Sequence, residues 1–425
     1  MRITAPDPAA RVPLADIDLY DPRLYAHGDP HLVWQTLRRE QPVFWQDLPD
    51  GRGFWSVTRY DDCRRVLSDY TSFTSQRGAI LKMLGTDDPA GGHQMAVSDP
   101  PRHTHVRKPL EEMLTPAAMV PYLPKIRASI RELLAPMCDE KPWDMGVAMT
   151  ALPMIVSGVL MGIPEEDHPG LVRKGLMTVA PDDEEFQVRN DPDATLRAAH
   201  HGLFAYFAEQ VRIRRRAPGP DLGSRDLIGR LMTMTVEGSP LTDGEIVANC
   251  YSMLLGANVN TGHVLSAAVL HLMDDFAQYD RWASDEAGWK TGLTEALRWS
   301  SPVVHFLRYA VEDVEIGGQR IRAGQGVVAW IASANRDEDV FPDPFRFDVR
   351  RRPNREISFG YGPHRCIGTA AARITLDITL REIFSRVERF EAAGEPEHLC
   401  SNFTGGIKHL PVIAYPRVNR SAGAA

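Results

Sequence analysis

The sequence predicts a mainly α-helical fold with a small β-sheet region. Long stretches carry apolar residues at helical spacing. Alternating segments closed by turns concentrate early, in "GFWSVTRY", and late, in "VEIGGQRIRAGQGVVAWIASA". No internal repeat or low-complexity linker divides the chain. With 425 residues, 43% hydrophobic and 24% charged, there is ample material for a large core. Residues 1–425 read as a single domain, with β-containing N-terminal and late segments around a helix-rich centre.

The elements follow in order. "PHLVWQTLRRE" starts after an Asp-Pro pair, and "DDCRRVLSD" follows the first strands. "TPAAMVPYLPKIRASIRELLAPM" opens with Thr115 and Pro116, a capping residue and a proline suited to a first helical turn. "ALPMIVSGVLMGIP" is apolar nearly all round, which predicts a helix buried among others. The acidic stretch from Pro181 to Asp193 predicts a surface connection between two helices. Thr242 and Glu245 form a capping box, and the helix they open is expected to run unbroken towards Asp274. The late strands turn at Gly317-Gly318 and at Gly324.

A formal net charge of -8 argues against a nucleic-acid partner. No uninterrupted apolar run reaches the roughly 18 to 20 residues of a membrane span. The first residues, "MRITAPDPAARVPLADIDLYDP", have acids and prolines where a signal peptide is apolar. These observations predict a cytoplasmic protein with no membrane partner. Five scattered cysteines show no zinc-like spacing and no disulfide framework.

Cys366 stands apart from the other four. It lies in "ISFGYGPHRCIG", just before the helical pattern "TAAARITLDITLREIFSRV". Gly360, Gly362 and Gly368 let the backbone turn tightly and approach a flat partner. N–H groups and the dipole at the helix start favour a thiolate. Such a sulfur is a nucleophile or a metal ligand, and the loop alone leaves both open.

The pattern F-G-x-G-x-H-x-C-x-G, Phe359 to Gly368, resembles the haem-binding loop of the cytochrome P450 family. The resemblance implies haem b with Cys366 as proximal thiolate ligand to iron, a ligand that favours O–O cleavage. It implies Phe359 near the sulfur, and Gly368 and Ala257 against the macrocycle. "EALR" supplies the family's Glu295–Arg298 lock, with Arg346 as its third member. Haem carries two propionates, and the resemblance assigns them His103 and Arg107 from "SDPPRHTHVRKPL", Arg308, and His364.

The distal side departs from the family. An acid and an alcohol in A-G-x-[D/E]-T relay protons there, whereas this chain reads Gly256-Ala257-Asn258-Val259-Asn260-Thr261. Aligned without a gap from "LLGA", Val259 takes the acid position and Asn260 the alcohol position. Thr261 then falls one residue late, about 100° round the helix. Asn260 and Thr261 are the expected catalytic pair. Asn258, His263, Val303, Val304 and Phe306 are expected in the substrate pocket, with His305 able to orient a polar group.

No flavin, nicotinamide or iron–sulfur motif is present, so electrons must come from outside. A basic patch of Arg350, Arg351, Arg352, Arg355, Arg365 and Lys108 suits an acidic ferredoxin-type donor. The expected function is a monooxygenase that oxidises a small organic metabolite with dioxygen, in bacterial specialised metabolism. The departures at Val259 and Asn260 keep open an oxidase that couples or desaturates without inserting oxygen. A haem-binding sensor without catalysis is the second alternative.

Overall fold

Helices form where the sequence supplies both a start signal and an apolar face. A computed structural model describes residues 1–216 and 222–417. Helix α1 (Pro30–Glu40) begins on Asp29, whose carboxylate accepts the Leu32 N–H at 3.0 Å. Helices α2 (Tyr60–Ser68) and α3 (Arg102–Glu111) follow. The stretch opened by Thr115 is not one helix. A 3₁₀ turn over Val120–Tyr122 splits it, because Pro121 and Pro124 lack the N–H groups a continuous helix uses.

Helix α4 (Met145–Met161) is the apolar segment and is buried on most of its circumference. Helices α5 (His168–Val179) and α6 (Pro192–Arg216) follow. The acidic connection between them differs from the expected surface loop. Asp183 and Phe186 are buried, and Phe186 packs with Met177, Ala180, Ala199 and Leu399.

Helix α7 (Asp243–Asn258) starts in the expected capping box: Glu245 N–H donates to Thr242 Oγ1 at 3.2 Å, and Thr242 N–H to Glu245 Oε2 at 2.9 Å. The expected unbroken helix is interrupted at Val259 and Asn260, and α8 (Thr261–Asp274) resumes after them. Asn258 supplies a cause. Its Nδ2 donates back to Leu254 O at 2.8 Å, a side-chain bond that competes with the helical ladder. The span Asp243–Asp274 is long and apolar enough to cross a membrane by length and composition. In the fold it is broken midway, and both halves pack against α4.

The main sheet has five strands in the order β1 (Val43–Asp47), β2 (Gly53–Val57), β5 (Gly326–Trp330), β4 (His305–Ala310), β3 (Phe73–Thr74). β5 runs parallel to β2, and the other pairs are antiparallel. Every residue of β5 is buried, as an unbroken apolar strand covered on both faces should be. Near the C-terminus lie β6 (Val387–Ala392), β7 (Glu397–His398), β8 (Ile407–His409) and β9 (Pro411–Pro416).

Helix α9 (Trp289–Ser300) carries the Glu-x-x-Arg pair, and α10 (Thr369–Arg386) follows the cysteine loop. Glu295 and Arg298 are both fully buried. Arg298 donates Nη2 to Oε1 at 2.7 Å and Nε to Oε2 at 2.8 Å. Arg298 Nη1 also reaches Asn335 O at 3.0 Å and Pro344 O at 2.9 Å. The third side chain of this lock is Arg351, with Nε 3.1 Å from Glu295 Oε1. Arg346, expected in that role, contributes only its carbonyl, which accepts from Arg298 at 3.4 Å and Arg351 at 2.7 Å.

Removing one partner of a buried pair strands the other charge. Glu295→Ala should therefore lower unfolding free energy in denaturant titrations by about 3–5 kcal/mol. Arg351→Ala should cost about 1–3 kcal/mol. Arg346→Ala, which keeps the carbonyl, should stay within about 0.5 kcal/mol.

Candidate haem-thiolate site

The cysteine loop is held by backbone geometry that its glycines permit. Gly360 and Gly362 both have φ near 73°. A Cβ on Gly362 would lie 2.6 Å from the Leu67 carbonyl and Ser68 Cα at the end of α2. Inside the loop, Cys366 N–H donates to Phe359 O at 2.8 Å, and Thr369 Oγ1 donates to Cys366 O at 2.7 Å. Cys366 is partly accessible, as are Ile367 and Gly368. Burial raises its thiol pKa, and the Gly368 N–H, Arg107 and Thr369 offset only part of that rise. The helix start therefore does not by itself make the thiolate expected from the sequence; a cation at the sulfur has to complete it.

Four side chains expected near propionates converge. The rings of His103 and His364 are 4.3 Å apart. Arg308 is buried, and its Nη1 donates to Leu307 O at 2.8 Å. Among the described residues no carboxylate lies within ion-pair distance of Arg308, and burial pulls its pKa down to about 10 against an upward pull from Asp99. Burial and Arg107 pull His103 down to about 4, and its Nδ1 is buried without a partner. Arg107 pairs with Glu111 at 3.4 Å. His364 Nε2 lies 3.3 Å from Ser75 Oγ, which donates to Asp99 Oδ1 at 2.8 Å. Ser75 escaped the sequence reading, although Asp99 lies in the quoted "SDPP" and marked the region.

Several residues around the junction of α7 and α8 keep access. Gly256, in the last turn of α7, is exposed, and a Cβ there would meet no atom within 4 Å. Ala257, Asn260 and Thr261 are partly accessible, whereas Val259 is buried, with its side chain towards Gly175 of α5. Ala257, Asn260 and Thr261 keep access around the break, whereas Val259 does not, so Asn260 and Thr261 are the polar side chains left on the accessible side. Asn260 Oδ1 is buried and unpartnered.

Other expected pocket residues sort differently. Asn258 faces α4, where Ser157 Oγ donates to its Oδ1 at 3.0 Å. His263 packs against Gly406 and the Ile407 backbone, and burial pulls it down to about 4. Val304 lies in the core with Trp34 and Trp330. Val303, bridged to Thr404, and Phe306, near Gly360, keep partial access. Both nitrogens of His305 are engaged by backbone, so it has none free for a substrate.

A partly accessible cysteine in a glycine-rich loop, with imidazoles and guanidiniums gathered near it and few anions among them, fits a haem with two propionates. The comparisons agree. The family model for Cytochrome P450 matches residues 290–404. Linalool 8-monooxygenase of Pseudomonas putida is 33% identical over 411 residues, covering 94% of this chain and 99% of that one. The crystal structure of P450 OxyD, involved in the biosynthesis of vancomycin-type antibiotics, superposes with TM-score 0.82 at 32% identity, over 94% and 100% of the chains. A Mycobacterium marinum cytochrome P450 in complex with pseudoionone gives 0.84 at 29%, over 95% and 100%. The chain belongs to the cytochrome P450 family, whose fold it has and whose monooxygenase class it shares.

Between the end of α5 and the residues around Asn402 lies a cavity of about 50 Å³, which opens beside the connection from α5 to α6. That connection is latched. Lys408 Nζ reaches Asp183 at 2.9 Å and Glu185 at 3.4 Å, while Glu397 lies at 3.8 Å. His409 bridges Asp144 at 2.6 Å and Glu185 at 3.0 Å. Burial alone would lower the pKa of His409, but these two carboxylates outweigh it and raise it. A raised histidine stabilises fully below its ordinary pKa and loses that contribution as pH rises through the raised value. Amide exchange at Phe186 should therefore quicken between about pH 6 and about pH 8, beyond the intrinsic rise with pH. His409→Asn should make it fast throughout.

Proposed function

We propose that this P450 is a soluble haem-thiolate monooxygenase oxidising a small, largely apolar metabolite in specialised metabolism. The carrying observation is the accessible Cys366 sulfur beside unpaired Arg308 and His103. Similarity to OxyD supports the biosynthetic setting, and similarity to linalool 8-monooxygenase supports an apolar substrate. Bound haem supplies the dioxygen activation and electron transfer that no side chain provides.

The chain's own residues do the rest. Cys366 would hold the iron, and Phe359, Gly368 and Ala257 would lie against the macrocycle. Arg107, Arg308, His103 and His364 would hold the propionates. Val303 and Phe306 supply apolar surface that excludes water and orients the substrate. On the distal side Thr261 passes a proton through its hydroxyl, and the Asn260 amide holds the water that feeds it. An amide does not titrate, so proton supply there depends on hydrogen bonding rather than on an acid.

Electrons arrive from an acidic, ferredoxin-type donor on the cysteine side. A cavity of about 410 Å³ there is lined by Arg64, Arg355, Arg365 and Tyr361. This narrows the patch expected from the sequence. Arg351 is buried in the lock, and Arg350 pairs with Asp285 at 2.7 Å. Arg355 and Arg365 remain exposed, and Arg64 joins them with its guanidinium 4.3 Å from the Tyr361 ring.

The reduced protein with carbon monoxide should show the red-shifted Soret band of thiolate ligation, and Cys366→Ser should abolish it. Thr261→Ala should lower product formed per electron pair by about tenfold or more, and Asn260→Asp should speed turnover. Under isotopic dioxygen the product should gain one labelled oxygen atom. A product without added oxygen would favour the coupling or desaturating oxidase instead.

A further inference from the structure

Helix α4 carries an irregularity of its own where the break between α7 and α8 lies against it. Pro153 stands in mid-helix and has no N–H, so the Met149 carbonyl four residues back loses its helical donor. Met149, Pro153 and Ser157 are spaced by four and buried, so they form one stripe of the helix. Both sides of the break rest on that stripe. Gly262, in the first turn of α8, meets the freed carbonyl: a Cβ there would lie 1.8 Å from Met149 O, so no side chain fits. Asn258, the last residue of α7, meets Ser157, whose Oγ lies 3.0 Å from its Oδ1.

The second contact has only one workable arrangement of protons. Asn258 Nδ2 donates to Leu254 O at 2.8 Å, so the amide oxygen is the atom turned to Ser157, and it needs a donor. A hydroxyl has a single proton to give. Pro153 O, 3.1 Å away, has the helical ladder to serve it, whereas among the described residues Asn258 Oδ1 has no other donor. The Ser157 proton therefore belongs to Asn258. Past that residue the backbone leaves the helix. Asn260 has φ −127° and ψ −42°. His263 N–H reaches back three residues, to Asn260 O at 3.2 Å, where a helix reaches back four.

We infer that Ser157 is a positioning residue for the distal pair. By holding the Asn258 amide against Leu254 it keeps α7 from running on into α8, and so sets where the Asn260 amide and the Thr261 hydroxyl stand. Its weight in the reaction rests on the reading of that pair as handlers of the distal proton. Without the bond the Asn258 amide swings free, the ladder closes across Val259, and both side chains turn with it.

The test uses the haem-loaded protein with Ser157→Ala, which removes the donor, and Ser157→Thr, which returns it. Hydrogen exchange is read in peptides covering residues 259–264, without substrate. It should slow about tenfold in Ser157→Ala as the ladder closes, and return to the wild-type rate in Ser157→Thr. Loss of a merely structural contact would speed it instead. Carbon monoxide on the reduced haem is the second probe. Its infrared stretch should move to higher wavenumber in Ser157→Ala, as the polar groups turn away, and move back in Ser157→Thr. Unchanged or faster exchange in Ser157→Ala, or a slowing that Ser157→Thr does not reverse, would overturn the inference. Should Ser157→Ala not accumulate, Asn258→Leu removes the same bond from the other side and must show the same slowing. If exchange responds as expected while neither Ser157→Ala nor Thr261→Ala moves the carbon monoxide stretch, the proton-handling reading of the pair fails and the positioning stands.

Discussion

The site depends on one buried ion pair. Arg298 spans Glu295 and the carbonyls of Asn335 and Pro344, so α9 is fastened to chain that follows β5. Asn335 passes the constraint on: its Oδ1 accepts the Ile357 N–H at 2.9 Å and its Nδ2 donates to Ser358 Oγ at 2.9 Å. Ser358 Oγ donates to Leu297 O at 2.8 Å, back on α9. The entry to the cysteine loop is thus pinned to the helix carrying the lock. Burial pushes the Glu295 carboxyl up, but Arg298 and Arg351 more than reverse it, so it stays ionised. Buried pairs of this kind add little net stability, and their use here is to fix one geometry.

The same economy governs the distal side. Asn258 turns its amide back onto Leu254 and accepts from Ser157, so the helix yields next to the open face. The interruption leaves Asn260 Oδ1 without a protein partner and brings Thr261 to the start of a new helix. A donor such as water is needed to satisfy that oxygen, which is why the break and the polar chemistry coincide.

Much of this was legible in the sequence, because local rules operate where it was. The capping box, the glycine turns and the all-apolar helix follow from short-range chemistry. The cysteine loop was legible because its special backbone needs special residues. What failed needed three dimensions. Arg346 and Arg351 are equally plausible as written, and only the fold shows which side chain points inward. Nothing in "LLGANVNT" marks which residues keep access, and only the fold shows Val259 buried while Asn260 and Thr261 are not. Val304 and Phe306 look alike in an apolar run, yet Val304 precedes β4 and lies in the core while Phe306, within the strand, lies near Gly360. The Lys408 and His409 latch joins segments more than two hundred positions apart, beyond any local pattern.

The crowding of Arg308, Arg107, His103 and His364 has a consequence for the life of the protein in a cell. A desolvated guanidinium lacking a counter-anion weakens the folded state, and any ligand that neutralises it favours folding by mass action. Cofactor supply then sets how much chain survives quality control. A chain whose site stands empty would be cleared sooner than one whose buried cations are neutralised, because the unfolded fraction is what a protease meets.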